Sequence, residues 1–172
     1  RWRIEHSQVV DLDEFDLYND KILPSVQPTH ATSDMYWAYD RLGKRIEGAY
    51  AFKDLLSSSK RIALGTDFPV EKVNPFHTFY SSIERKDLNG YPENGFQIEN
   101  ALTREETLKG MTIWGAYFNF EEKEKGSIEK GKYADFVLID QNIMEINPDK
   151  IPHTKVLKTY VNGELVYQNN AL

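Results

Sequence analysis

The chain has 172 residues, with 21 Lys+Arg against 27 Asp+Glu and a formal net charge of −6. That acidic balance argues against a phosphate-backbone binder, which needs a basic face, and no run approaches the roughly 18 apolar residues of a membrane span. With 40% hydrophobic and 13% aromatic residues the composition supports a packed core rather than a disordered chain. There is no cysteine, so disulfide frameworks, thiolate-ligated zinc and thiol nucleophiles are excluded; this fits a cytoplasmic location without establishing it. Arg1-Trp2-Arg3 opens the chain without an initiator Met, and the expectation is a fragment whose upstream residues are missing.

The alternation of Trp2 to His6 predicts a strand ending at His6. Asp11 to Tyr18, with Asp11 as cap and acidic residues in the first turn, predicts a short helix. Ile22 to Gln27 reads as a second strand stopped by Pro28. Thr29 to Asp34 is expected to be a polar loop, followed by a short helix over Met35 to Leu42. Arg45 to Ser58 carries an apolar stripe at helical spacing. Arg61 to Asp67, nearly continuous in apolar residues up to Gly65, predicts a strand buried on both faces.

Asn74-Pro75 opens a helix to about Glu84, because Pro is favourable just inside a helix start. Leu88 to Asn100 is a long polar loop. Thr103 with Glu106 is a capping box launching a helix to about Asn119, with Leu108, Met111, Thr112, Gly115 and Phe118 expected to face inward. Glu121 to Lys125 is a charge run, read as a solvated helix end. Gly126 and Gly131 suit turns, and Asp135 a turn or strand start. Strands are expected around Ser127-Ile128, over Ala134 to Asp140, and as a hairpin, Val156 to Val161 with Glu164 to Tyr167, joined by Asn162-Gly163.

The order is β-α-β-α-β-α-α followed by an all-β tail. It implies α/β architecture with a parallel sheet. Three parallel strands cannot close a barrel and leave two open edges.

Chemistry in such folds gathers at the carboxyl ends of strands. His6 and Asp67 end their predicted strands, and His30 lies just beyond the second. Imidazole nitrogen and carboxylate oxygen are ligands for zinc, iron or manganese, and a carboxylate beside an acidified water can take its proton. The same residues have plainer readings. A strand-end histidine can be a hydrogen-bonded structural residue, and Asp67 between Gly65 and Pro69 can bond its own turn. His77, in a predicted helix, and His153, after Pro152, read as surface or packing residues.

Three blocks go further: Arg3-Ile4-Glu5-His6-Ser7-Gln8-Val9, Gln27-Pro28-Thr29-His30-Ala31-Thr32-Ser33-Asp34 and Leu64-Gly65-Thr66-Asp67-Phe68-Pro69-Val70. They resemble the amidohydrolase superfamily, in the branch of N-substituted formamide deformylase-like proteins. Lys125 to Val137 resembles the segment leading into that superfamily's small β-domain.

The resemblance implies a partial TIM (β/α)8 barrel: residues 1–124 as about strands six to eight with their helices, and residues 125–172 as the C-terminal strands of a small composite β-sandwich. It implies His6 and Asp67 as metal ligands, Asp67 as general base and acid, and His30 as a catalytic and substrate-binding group orienting a carbonyl. Tyr36 and Trp37 would line the substrate pocket, with simple packing as the rival reading. A divalent metal, expected to be zinc, in one or two copies, is the implied cofactor, and a small molecule is the implied substrate. The superfamily's His-x-His pair on strand one and its ligands on strands four and five have no counterpart in this chain.

The expected function is metal-dependent hydrolysis of an amide-type C–N bond, with no turnover from these 172 residues alone. The rival from another class is a non-catalytic C-terminal module that binds its missing half or forms a homo-oligomer through open sheet edges. A flavodoxin-like binding domain finds no Gly-rich phosphate loop after any strand.

Overall fold

A computed structural model describes residues 1–170. Two three-stranded sheets carry the chain. The first is parallel, in the order β1 (Trp2–Glu5), β2 (Ile22–Val26), β3 (Ala63–Leu64), with Glu5 beside Ser25 and Val26 beside Leu64. The second is antiparallel and consists of β4 (Phe136–Ile139), β5 (Val156–Val161) and β6 (Glu164–Gln168). Asn162 and Gly163, both at positive φ, turn the β5–β6 hairpin as their sequence predicts. Among the described residues no helix is long and apolar enough to cross a membrane.

Among the described residues five α-helices accompany these sheets: α1 (Pro28–Leu42), α2 (Phe52–Ser59), α3 (Pro75–Glu84), α4 (Arg104–Met111) and α5 (Ile113–Phe118). The residues expected to form a loop, Thr29 to Asp34, are instead the first turns of α1. Pro28 presets the helical φ at the first position. The hydroxyls that suggested a loop turn back onto the helix: Thr32 Oγ1 donates to the Thr29 carbonyl at 3.0 Å and Ser33 Oγ to that of His30 at 3.3 Å.

The predicted helix over Arg45 to Ser58 is split. A 3-10 turn spans Gly43–Gly48, and α2 begins only at Phe52, after Tyr50 at φ 54°. The cause is pairing with the segment behind β1: Val10 N–H donates to Gly48 O at 2.9 Å and Tyr50 N–H to Gln8 O at 2.8 Å. Gly48 is required there, since a Cβ would sit 2.0 Å from Val10 O.

The segment predicted as one helix from Thr103 also breaks. The capping box forms, with Thr103 Oγ1 accepting from Glu106 N–H and the Glu106 carboxylate accepting from Thr103 N–H. At Thr112, however, φ −129° and ψ −97° separate α4 from α5. Gly126 packs into that break, where a Cβ would meet Ile113 Cα at 2.9 Å and Ala116 Cβ at 2.8 Å. Leu108 and Thr112 are consequently exposed rather than inward.

Asp11 to Tyr18 forms a 3-10 rather than an α turn, and the third strand is shorter than its apolar run suggested. Ser127-Ile128 lies outside any strand, with the Ile128 side chain in solvent.

The main core lies between the parallel sheet, α1 and α2, with Val26, Leu55 and Ile62 fully buried. A second cluster joins α3 (Phe76, Phe79, Tyr80) to Ile143 and Ile151 of the C-terminal part. Arg104 ties the same parts together, donating to the carbonyls of Ile143 at 2.8 Å and Ile146 at 2.6 Å. Arg85 is fully buried. Its Nε donates to Phe96 O at 2.9 Å and its guanidinium lies 4.8 Å over the Phe52 ring.

Two outcomes follow for stability. Leu55→Ala opens a cavity at a fully buried site and should cost about 2–5 kcal/mol in chemical denaturation. Burial pushes the Tyr80 phenol up to about 12, and Tyr50 upward too. The folded chain therefore keeps these protons where the unfolded chain, with an ordinary tyrosine value near 10, has lost them. Their contribution to stability is complete below pH 10 and is lost as pH rises from about 10 to 12. Tyr80→Phe should flatten that alkaline slope in melting curves, and an unchanged slope would contradict the assignment.

Candidate metal centre

Parallel pairing puts the carboxyl ends of β1, β2 and β3 at one edge of the sheet, so the chain leaving each strand enters the same space. His6 follows β1 directly, with φ 69° at His6 and 38° at Ser7. This turn from extended to left-handed backbone is uncommon for residues other than glycine and carries the His6 side chain off the line of the strand. Ser7 is buried and pins the turn: its Oγ donates to Ile4 O at 3.1 Å and accepts from Tyr18 OH at 3.0 Å. Asp67 lies three residues beyond β3, also left-handed at φ 56°. His30 is the third residue of α1, buried at 7% exposure.

The three side chains meet. One donor atom from each of His6, His30 and Asp67 lies within 4.8 Å of the others. The two imidazole rings stack with centroids 5.7 Å apart, and His30 Nε2 is 3.3 Å from Asp67 Oδ2.

The donor set fits a divalent cation. Nitrogen, nitrogen and carboxylate oxygen suit zinc and its neighbours. Donors about 2.0–2.2 Å from a zinc ion stand up to roughly 4 Å apart, so the observed spacing closes with small side-chain movements. His6 is exposed, which leaves an open side for a water or a substrate.

The sequence reading passed over several supporting groups. Glu71 Oε1 lies 3.2 Å from His30 Nδ1 and accepts from Ser33 Oγ at 2.6 Å. Asp34 Oδ2 accepts from Gln8 Nε2 and from Tyr50 OH, each at 2.8 Å, tying the turn after His6 to α1. Glu71 follows Asp67 by four residues, and Ser33 follows His30 by three. Only the second is a helical spacing, one turn of α1, that places the hydroxyl near His30; nothing in the sequence ties Glu71 to that ring.

A cavity of about 240 Å³ opens beside Ser33 and Glu71, with Thr29, Thr32, Tyr36 and Ser81 also on its wall. Tyr36 therefore lines a pocket near the centre, its hydroxyl donating to Asp87. Trp37 does not: it is 45% exposed and outside this cavity, because the next residue along α1 faces another direction. His77, expected to be a surface or packing residue, lines the cavity and lies 3.2 Å from Asn74 Nδ2 through its Nε2. Burial lowers its pKa, with nearby Lys72 acting in the same direction. His153 remains apart from the cluster, on the 3-10 turn Pro148–His153.

The chain is similar to several known proteins. YtcJ of Bacillus subtilis (strain 168) is 32% identical over 170 residues, which cover 98% of this chain and 32% of YtcJ. The N-substituted formamide deformylase of Arthrobacter pascens is 28% identical over 119 residues, covering 69% of this chain and 21% of the enzyme. An uncharacterized metal-dependent hydrolase from Pyrococcus horikoshii OT3 superposes with a TM-score of 0.74 at 26% identity, over 85% of this chain and 30% of its own. The chain thus spans about a third or less of each of these proteins. The sequence model described as "Amidohydrolase family" matches residues 1–167, and the chain belongs to that family.

Proposed function

We propose that this chain is part of a metal-dependent hydrolase that cleaves an amide-type C–N bond. The observation that carries this reading is the convergence of His6, His30 and Asp67 at the carboxyl edge of a parallel sheet. In the same reading residues 1–124 are the last strands and helices of a (β/α)8 barrel, and residues 125–172 belong to a small composite β-sandwich. The two observed sheets, one parallel and one antiparallel, support that division.

His6 and Asp67 would hold the ion, zinc being the choice best suited to the donor set. His30 joins the same cluster, with Nε2 3.3 Å from Asp67 Oδ2, which supports donation to the ion beyond the carbonyl-orienting role its sequence block suggests. When bound, the ion would bring the pKa of a water toward neutrality and polarise a carbonyl oxygen.

Asp67 supplies the proton path. One carboxylate oxygen faces His30 Nε2 and a third of the side chain remains accessible. The group can therefore accept a proton from the attacking water and return it to the departing nitrogen. Tyr36 and the wall beside it would bind the rest of the substrate, apolar surface packing against it and the Ser33 and Thr29 hydroxyls meeting its polar groups.

Turnover is assigned to the whole protein, and none is expected of these 172 residues alone. In the whole protein, hydrolysis of amide-type substrates should vanish on chelation and return with zinc. Asp67→Asn should lower kcat by about 10²–10⁴-fold. Activity that survives both treatments would refute the reading.

A second reading, association through an uncovered sheet, is favoured by β1, where Trp2 is 80% and Ile4 42% exposed. Sedimentation of the chain at micromolar concentration should then show dimers or larger species, and a clean monomer would refute it.

A further inference from the structure

We propose that Glu71 is a positioning residue: it accepts the Nδ1 proton of His30 and thereby turns the Nε2 lone pair toward the centre shared with His6 and Asp67. This rests on the metal-centre reading above.

The two nitrogens of His30 are gripped by one loop. Asp67 Oδ2 stands 3.3 Å from Nε2 and Glu71 Oε1 3.2 Å from Nδ1. The two carboxylates ride a single turn, closed by Val70 N–H donating to Asp67 O at 2.8 Å. A neutral imidazole has one N–H and one lone pair. An ionised carboxylate can only accept, so the nitrogen facing Glu71 carries the proton and Nε2 is left as the donor to a cation.

Asp67 cannot impose the opposite arrangement once a cation is present, because its oxygen and Nε2 then share the same positive partner instead of competing for a proton. Glu71 lies outside the donor cluster. Its partners are His30 and Ser33, and the Ser33 hydroxyl, bonded at 2.6 Å, fixes the Oε1 that His30 needs. His30 and Ser33 stand three residues apart on α1, which puts both on the side facing Glu71.

A carboxylate or carbonyl behind a ligating histidine fixes its tautomer and raises its basicity, and loss of such a partner weakens metal binding by about 10–100-fold. The test is a double-mutant cycle on zinc affinity, measured by competition with a chelating dye on the intact protein. Glu71→Ala should weaken zinc binding about 10–100-fold, and it should cause no further loss when His30→Ala is already present. Unchanged affinity in Glu71→Ala overturns the proposal. So does an equal loss in both backgrounds, which would mean that Glu71 acts on the fold or on the ion directly.

Melting of the zinc-free variants verifies folding. If Glu71→Ala does not fold, Glu71→Gln keeps the volume and an accepting oxygen but not the charge. It should bind zinc several-fold more weakly, again only with His30 in place, and unaltered affinity in this variant overturns the proposal as well. An unsubstituted protein that binds no zinc fails at an earlier point. That result removes the metal centre and this proposal together, and so is distinct from the failure of Glu71 alone.

Discussion

The parallel pairing of β1, β2 and β3 is the constraint from which the site descends. Antiparallel strands would send alternate loops to opposite edges. Here the matches of Glu5 with Ser25 and of Val26 with Leu64 bring three successive strand exits to one edge. A slip of one residue in either pairing would turn every strand side chain to the other face. His6 and Asp67, each fixed to its strand by only a few bonds, would then cease to converge. The fully buried Leu23 and Val26 on β2, the central strand, hold that register by packing.

Much of this was legible in the sequence where a local rule had no competitor. Asn74-Pro75, Thr103 with Glu106 and Asn162-Gly163 each specify a terminus or turn through backbone chemistry alone, and each forms as read. The misreadings share a cause. Thr29 to Asp34 looked like a loop because its hydroxyls compete for backbone bonds, yet they satisfy helical carbonyls one turn back. The helix expected at Arg45 to Ser58 was interrupted by a bridge to residues 8–10, a partner some forty positions away. Periodicity reports which face is apolar and is silent about which distant segment takes the backbone bonds.

The same limit applies at the site. His6, His30 and Asp67 were visible because strand ends are where α/β folds keep their chemistry. Glu71 and Asp34 were not, since their roles depend on which side chain lies across a loop. Trp37 was drawn into the pocket by adjacency in sequence to Tyr36, whereas neighbours on a helix point about 100° apart. Family membership supports the hydrolytic reading, while the shared portion, about a third or less of the compared proteins, confines substrate and turnover to proposals.

Arg104 gives the segment between β4 and β5 a different kind of attachment from the apolar contact around Phe79 and Ile151. Oily contacts tolerate sliding, because dispersion forces have little directional preference. A planar fork donating to the carbonyls of Ile143 and Ile146 does not. The bend at 142–147 is thereby locked at a single azimuth against the start of α4. The connection between β4 and β5 is thus held to α4 by directed bonds as well as by apolar packing, and a change at Arg104 would loosen the direction of that attachment before its extent.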